Sequence, residues 1–567
     1  MQQIAATSDP IALESLRQQA AAAVGSAWMV PQALALWQLN RPVELLALLR
    51  AAPPELDRDP QVWLLRGMAS RRLPDGSGEA AALAAYERGL AIAPDRFDLH
   101  YNLANLLHRS DPERAEHHYR LSLRAEPQQA ACWHNYGLLL HQLDRPAEAV
   151  AAFRISLRLD PTYPDAWCNC GLAYLALECH PQAERCFAQA IALDPRQSAS
   201  HTNMGSLLVA RLEPERAMAY LERGVELDAN SAHALFNLGL CQLLLGRFET
   251  GWNFYEARLR THLVPPECVP TTGSRLTDLA QAPRAGEPPL VVWAEQGLGD
   301  AIQFCRYLAL LDALGVAYEF QCPLPLLDLM RHWLAPAGVV AALPKRTNLQ
   351  DDRRHSPLLS LPRLFATREA TIPSAVPYLR PPGEPPAHLR VPEPPGGLSV
   401  GLVWAANASN KAMYRHKSIP LALLMPRLLE LAALDLIDLH ALQVGPDNSQ
   451  LDPWRGQARI TDWAPQLNDF ADTAHVVQQL DLVIAVDTAV AHLAAALNRP
   501  TWLLLPCNAD FRWLRERSDS PWYPGCCRLF RQSTQGDWSS VIRAIHQALD
   551  RLFLLDLQAL AAAKLPR

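Results

Sequence analysis

The stretch DAWCNCGLAYLALECHPQAERCFAQAIALDP, residues 165–195, decides the fold of the first half of this chain. It contains a run with helical spacing of apolar residues, a break, a second such run and a terminating proline. One asparagine recurs in this setting every 33 or 34 residues, at Asn102, Asn135, Asn169, Asn203 and Asn237. The sequence therefore predicts an array of helix pairs with a period of 34 residues.

Two further positions repeat in phase with the asparagine. A small residue recurs where paired helices must approach closely, at Ala115, Ala149, Ala183 and Ala217. A proline closes successive units, at Pro94, Pro127, Pro161 and Pro195. This pattern resembles the tetratricopeptide repeat (TPR) family over residues 60–262, which implies a superhelix of stacked helix pairs. Residues 1–59 are predicted to form a degenerate helical cap on its exposed end.

The concave face of such a superhelix suits an extended polypeptide better than a small molecule. A protein or peptide acceptor is therefore the expected partner of the array. The five recurring asparagines, which we call the asparagine ladder, have two interpretations. It could hydrogen-bond the backbone of a guest peptide, as in the O-linked N-acetylglucosamine transferases that carry similar repeats, or asparagine could simply be usual at this position of the repeat.

The second half of the chain alternates short apolar strands with helices, which predicts two α/β lobes with mainly parallel sheets. The strand LVVWA, the loop EQGLGD, a helix over 301–314 and a strand over 316–322 begin the first lobe. Nine prolines between 373 and 395 indicate a connector, and strands and helices then resume. The predicted boundaries are a linker at 263–289, a first lobe at 290–380, a connector at 381–397, a second lobe at 398–555 and a tail at 556–567.

The turn VDTAVAHLAAAL, residues 486–497, places Asp487 and Thr488 where a buried strand becomes a helix. The free N–H groups and positive end of that helix form an anion site for a diphosphate. Alternatively, Asp487 or Thr488 only caps the helix. His492, one turn further on, could reach a phosphate or simply pack.

The loop NASNKAMYRHKS, residues 407–418, carries Lys411 and Lys417, although the whole chain has four lysines. Together with Arg415 they could neutralise a diphosphate, or the loop could be an ordinary solvated one. In GLGD, residues 297–300, Gly297 and Gly299 would allow a tight turn and close approach of a ligand. Asp300 starts a helix there, either as its cap or as a general base.

These segments, with QLDLVIAVDTAVAHLAAALNRPTWLLLP and DSPWYP, are similar in order to bacterial proteins that join TPR repeats to a region like glycosyltransferase family 9, the ADP-heptose heptosyltransferases. The resemblance covers residues 246–550. It implies a GT-B fold, in which two Rossmann-like lobes face a cleft, and inverting, metal-independent transfer. It also implies a base role for Asp300, a phosphate contact for Lys417, and donor contacts for Asp487, Thr488 and His492. By this resemblance, Lys411 and Arg415 lie in an insertion relative to the heptosyltransferases.

Composition narrows the function further. A net charge of −6 disfavours nucleic acid, and no apolar run reaches spanning length or forms a signal peptide, so a cytoplasmic protein is expected. Because the sequence offers no persuasive metal cluster, no metal or other cofactor is expected. The predicted function is transfer of a sugar from an ADP- or UDP-linked donor to a protein acceptor. The alternatives are a glycan-acting enzyme or a TPR adaptor with a non-catalytic GT-B region.

Overall fold

The structure is a computed structural model that describes residues 9–22, 28–73, 76–261, 263–264, 269–270, 272–334, 338–341, 352–392, 397–408, 411–457 and 459–563. The chain forms two compact units, Met1–Asn203 and Met204–Arg567. None of the helices in the described ranges is both long enough and apolar enough to cross a membrane.

The first unit consists of helices. They are α1 (Pro10–Ala22), α2 (Met29–Gln38), α3 (Pro42–Arg50), α4 (Pro60–Arg71), α5 (Glu79–Ile92), α6 (Phe97–Leu107), α7 (Pro112–Ala125), α8 (Ala130–Gln142), α9 (Pro146–Leu159), α10 (Pro164–Ala176), α11 (His180–Leu193) and α12 (Ser198–Ala210), the last of which crosses the boundary between the units. The recurring prolines each lie just beyond the end of α5, α7, α9 or α11, because proline cannot continue a helix.

Small residues in the first helix of each pair explain the close packing. A Cβ atom added at Gly137 would lie 2.7 Å from Cε1 of Phe153, and one at Gly171 would lie 2.5 Å from Cε1 of Phe187. Ala149, from the recurring alanine position, is also fully buried. The 34-residue pattern therefore records where paired helices touch, and the predicted helical array is confirmed.

The second unit begins with helices α13 (Pro214–Leu227), α14 (Ala232–Leu244) and α15 (Phe248–Tyr255) of the array. Two parallel sheets follow, with strand orders β3-β2-β1-β4 and β10-β9-β8-β5-β6-β7. Their strands are β1 (Leu290–Trp293), β2 (Tyr318–Cys322), β3 (Gly338–Ala341), β4 (His355–Pro357), β5 (Leu398–Val403), β6 (Ile437–Ala441), β7 (Ile460–Asp462), β8 (Leu482–Val486), β9 (Thr501–Leu505) and β10 (Cys527–Arg531).

The helices of this region are α16 (Leu298–Phe304), α17 (Arg306–Ala313), α18 (Leu327–Trp333), α19 (Leu361–Leu364), α20 (Lys411–Lys417), α21 (Leu421–Ala433), α22 (Phe470–Gln478), α23 (Ala489–Ala496) and α24 (Trp538–Ala563). The predicted α/β class is thus confirmed, with two differences in detail. The helix expected over 301–314 is interrupted at Cys305, and the expected loop at 407–418 contains α20. The helix forms because its residues include lysine, alanine, methionine and arginine, which all favour helix. A loop had been predicted from the positive charge of this stretch alone.

The end of the repeat array is part of the second unit's core. Trp252 packs edge-on against Phe304 of α16 and Phe511, with ring centroids 6.2 and 5.6 Å apart. Arg258, fully buried just after α15, pairs with Glu295 of the first lobe at 2.7 Å. Aromatic and ionic contacts therefore join α15 directly to the first lobe.

The proline-rich segment 373–395 extends from the end of the predicted first lobe into the predicted connector, and its described residues contribute no strand to either sheet. The N–H groups of Tyr378 and Leu379 donate to the carbonyl of Ala496, at 3.0 and 3.3 Å. These bonds attach the proline-rich segment to the end of α23, the helix that begins at the predicted anion site.

Candidate active site

The predicted anion site lies at the carboxyl end of β8. Thr488 occupies the cap position of α23, but its hydroxyl donates back to the carbonyl of Val486 at 3.1 Å and makes no capping bond. Asp487, which is buried, does not cap the helix either and instead accepts from Lys417. Within the described chain, no side chain satisfies the N–H groups at this helix start, so they remain available to an anion.

Lys417, which is half-buried, and Asp487, which is buried, form an ion pair of 2.6 Å. Burial alone would lower the pKa of Lys417, but attraction to Asp487 and Asp510 outweighs burial and the pKa is raised. Burial alone would raise the pKa of Asp487, yet attraction to Lys417 and His492 leaves it lowered. Both groups are therefore charged at neutral pH, and the ammonium stands beside the open helix start.

His492 is a neutral, packed histidine. Burial lowers its pKa to about 3, and its ring stacks on Trp513 with centroids 5.2 Å apart. Its Nδ1 lies 2.8 Å from the hydroxyl of Tyr523, which keeps its proton because burial raises its pKa, so the hydroxyl donates to the ring. The Nε2 atom is 3.7 Å from Asp487, too far for a good hydrogen bond.

Asp300 combines the two roles considered for it. Its Oδ2 atom accepts from the N–H of Gly297 at 3.0 Å, which caps the start of α16. Its Oδ1 atom pairs with the guanidinium of Arg512. Burial raises the pKa of Asp300, and attraction to Arg512 only partly opposes that rise. A carboxylate with a raised pKa is a better base, so the cap does not exclude a catalytic role.

Arg512 is a further residue of the site that was not predicted from the sequence. It lies after the carboxyl end of β9, next to β8, and its guanidinium also pairs with Asp510 at 2.8 Å. The signal was available, because functional side chains in parallel sheets follow strands at this edge. Arg512 was overlooked because arginine is common in this chain whereas lysine is rare.

The glycine loop brings the two lobes together. A Cβ atom added at Gly299 would lie 3.0 Å from Cδ2 of His492 and 3.5 Å from Cα of Ala489, at the start of α23. Gly297 has an ordinary φ of −67°, so the loop needs no left-handed residue. In this structure Gly299 allows α16 to approach α23, whereas both glycines were expected from the sequence to admit a ligand.

A cavity of about 560 Å³ opens beside this cluster, at the carboxyl ends of β5 and β6. Leu298 contributes to it from the first lobe, and Thr488, Ala489 and Val490 contribute from the start of α23. Its walls are mostly apolar, and their side chains include Val403, Leu442, Val444, Leu467 and Phe470. A cavity of this size and character, bordered by an open helix start, fits a nucleotide with its phosphates directed at α23.

The structure separates the two candidate lysines. Lys417 ends α20 and turns toward Asp487, whereas Lys411 and Arg415 lie exposed on the same helix and do not line the cavity. Of the three basic residues, Lys417 is therefore the one that lies beside the start of α23, and the donor contacts of all three stay predictions.

The asparagine ladder is occupied by internal contacts. The amide nitrogen of each residue donates or lies within hydrogen-bond distance inside the array, as seen for Asn102 to the Asp98 carbonyl (2.8 Å), Asn135 to Asn105 Oδ1 (2.8 Å), Asn169 to His134 Nε2 (3.0 Å), Asn203 to Cys168 Sγ (3.3 Å) and Asn237 to the His233 carbonyl (2.8 Å). Of the two interpretations, these contacts favour the structural one.

Within the described residues, no group of three or more histidine, cysteine or acidic side chains is placed to hold a metal ion. Asp57 and Asp59, which form a DxD sequence that could suggest a metal site, make structural contacts instead. Asp59 accepts from the N–H of Gln61 at 2.8 Å and caps α4, and Asp57 pairs with Arg66.

Comparison with known proteins finds similarities in both halves of the chain. Residues 137–177, 164–197 and 202–251 match models of TPR or tetratricopeptide repeats. Residues 454–504, which include Asp487 and His492, match the model of glycosyltransferase family 9 (heptosyltransferase). Protein FlbA of Caulobacter vibrioides is 26% identical over 517 residues, covering 86% of this chain and 83% of that protein.

Similar solved structures include two bacterial proteins, both at low sequence identity and low TM-score. Pseudomonas aeruginosa pilF is 22% identical with a TM-score of 0.32, covering 37% of this chain and 93% of its own. MamA of Desulfovibrio magneticus RS-1 is 19% identical with a TM-score of 0.28, covering 30% and 97%. The chain thus carries tetratricopeptide repeats, and its C-terminal α/β region is similar to glycosyltransferase family 9.

Proposed function

We propose that this chain is an inverting, metal-independent glycosyltransferase that moves a sugar from a nucleotide-sugar donor to a protein acceptor presented by the repeats. The observation that carries the proposal is the 560 Å³ cavity beside the open start of α23. Lys417 stands next to that helix start, and Asp300 approaches it from the other lobe.

The donor's base and ribose would occupy the cavity, and its diphosphate would bind at the N–H groups of α23. The dipole of the helix and the ammonium of Lys417 stabilise this negative charge, increasingly so as the donor bond breaks. An ADP- or UDP-linked sugar has the required size and charge. The apolar walls do not by themselves choose between these nucleotides.

Chemistry would proceed by direct displacement. The Asp300 carboxylate accepts the proton of the acceptor hydroxyl, the hydroxyl oxygen attacks the anomeric carbon, and the bond from that carbon to the diphosphate oxygen breaks. The nucleoside diphosphate leaves with the electron pair. Inversion follows because one displacement occurs on the face opposite the leaving group.

Arg512 fits this scheme as a second cation. The cluster holds three carboxylates, Asp300, Asp487 and Asp510, against Lys417 and Arg512. An arriving diphosphate would compete with Asp300 for Arg512 and with Asp487 for Lys417. Donor binding would thereby free Asp300 for its role as base.

A decisive test is Asp300→Asn in the full chain. The amide oxygen can still accept from Gly297, so the fold and donor affinity should persist, while turnover should fall by about 10²-fold or more. Asp510→Asn is the matched control, since Asp510 also pairs with Arg512 but is not assigned a proton transfer. Equal turnover in both variants would remove the base assignment.

A non-catalytic adaptor is the second candidate. It is favoured by the fact that Asp300 and Lys417 are already satisfied by internal ion pairs. Thermal unfolding with ADP-, UDP-, GDP- and CMP-sugars distinguishes the enzyme from the adaptor, because the donor of an enzyme must raise the midpoint temperature of unfolding. Mass spectrometry with the best donor then shows whether proteins or glycans are modified.

A further inference from the structure

Three helices of the first unit enclose a second cavity, of about 340 Å³, which the proposed reaction does not use. Its floor is formed by α10, through Trp167, Cys170 and Tyr174. Its sides are formed by α9 and α11, the second helices of two adjacent pairs, through Leu157 and Cys186. We call this cavity the aromatic pit.

The aromatic side chains of the pit are both accessible and held in place. Trp167 and Tyr174 are half-buried, so part of each side chain remains accessible to solvent. The indole Nε1 of Trp167 donates to the carbonyl of Pro161 at 2.9 Å, which fixes the ring. A rigid aromatic surface loses little conformational entropy when a partner binds.

Three exposed arginines surround the pit, Arg154 and Arg158 from α9 and Arg185 from α11. Among the described residues none of the three has an ion pair or a side-chain hydrogen bond. In the same array, Arg120 and Arg145 both pair with Glu116, at 2.6 and 2.9 Å. The positive charge around the pit is therefore uncompensated, although the whole chain carries a net charge of −6.

We propose that the aromatic pit binds an acidic segment of a protein partner, which inserts one large apolar side chain between the arginines. Tryptophan, tyrosine and arginine are the residues that dominate binding energy at protein interfaces. The uncompensated guanidiniums supply the complementary charge for carboxylates.

The arrangement of the arginines favours a peptide over other anionic ligands. They flank the pit on two sides, so carboxylates before and after the inserted side chain would each meet a cation. An anionic membrane would need apolar side chains that protrude, whereas here the aromatic surface is recessed between helices. This proposal does not depend on transferase activity, since binding is measured alone.

The test is fluorescence anisotropy of the full chain with a fluorescein-labelled peptide of four glutamates, one tryptophan and four glutamates. We expect saturable binding, with a dissociation constant of roughly 100 µM or tighter, that weakens as salt rises. Alanine in place of the central tryptophan should weaken binding about tenfold. Lysines in place of the glutamates should abolish it without any change to the protein.

Protein variants assign the site. Each of Arg154→Ala, Arg158→Ala and Arg185→Ala should weaken binding about threefold, and the triple variant about thirtyfold, with unchanged thermal unfolding. Arg88→Ala, an exposed arginine on α5, is the matched control and should bind normally. Undiminished binding by the triple variant would overturn the proposal. So would binding to phosphatidylserine vesicles without binding to the peptide.

Discussion

Replacing Glu295 by glutamine tests how firmly the repeat array is joined to the first lobe. The side chains of Glu295 and Arg258 are both completely buried and lie 2.7 Å apart. Glu295 also accepts from the N–H groups of Leu358 and Leu359, at 3.0 and 3.1 Å. Glutamine keeps the shape but removes the charge, leaving Arg258 with Glu256 as its remaining carboxylate.

The expected cost follows from that burial. Removing one partner of a buried ion pair costs about 3–5 kcal/mol, and the surviving contact to Glu256 places this case near the lower end. Removing both charges, with Arg258→Met and Glu295→Leu together, should cost less than Glu295→Gln alone, because no charge is then left unpaired. Arg275→Gln breaks a more exposed pair with Glu256 and should cost below about 1 kcal/mol.

Hydrogen–deuterium exchange measures this cost locally, which matters because two units need not unfold together. A loss of about 3 kcal/mol should speed exchange in β1 and over residues 358–364 by about 100-fold. Chemical denaturation supplies the same comparison for the whole chain. An effect of Glu295→Gln no larger than that of Arg275→Gln would refute the reasoning, as would a double variant less stable than Glu295→Gln.

Two further predictions concern the lobe contact. Because burial lowers the pKa of His492 to about 3 from 6.5, the folded chain binds its proton less readily than the unfolded chain. The neutral His492 therefore stabilises the fold fully above pH 6.5, and this stabilisation decreases as the pH falls toward 3. The free energy of unfolding, measured by urea denaturation, should fall between pH 7 and pH 4 by roughly 3 kcal/mol less in His492→Gln than in the wild type. Gly299→Ala should destabilise the chain by about 1–2 kcal/mol, because its Cβ would press on His492, and should lower the thermal midpoint more than Gly297→Ala does.

Each of these two has a clear contrary result. If the free energy of unfolding changed equally with pH in the wild type and in His492→Gln, the folded chain would not oppose protonation of His492. If Gly297→Ala lowered the midpoint as much as Gly299→Ala, the approach of α16 to α23 would not be limited by that glycine.

Much of the fold could be predicted because it depends on local patterns. The repeat period appears in the sequence wherever two helices must touch, as at Gly137 and Phe153. Apolar runs that end in turns predicted the positions of β8 and β9. The shortest strands were not predicted, and β4, with its three residues, is too short to show alternation.

The site was harder to predict because its contacts cross long stretches of sequence. Asp300 and Arg512 are 212 positions apart, and Lys417 and Asp487 are 70 apart. Sequence spacing could place each residue at the end of a strand or helix, but only the fold shows which charges pair. The catalytic and donor-binding roles therefore stay predictions.

The buried aromatic and ionic contacts of α15 also limit where this chain can be divided. A fragment that begins after the predicted end of the repeats, at residue 263, would lose Trp252 and Arg258 and expose the apolar surface around Phe511. Recombinant versions of the α/β half, or exchanges of one repeat array for another, therefore need their junction before α12 (Ser198–Ala210), the helix that crosses the boundary between the two units. The last repeats and the α/β region therefore have to be kept together in any such protein.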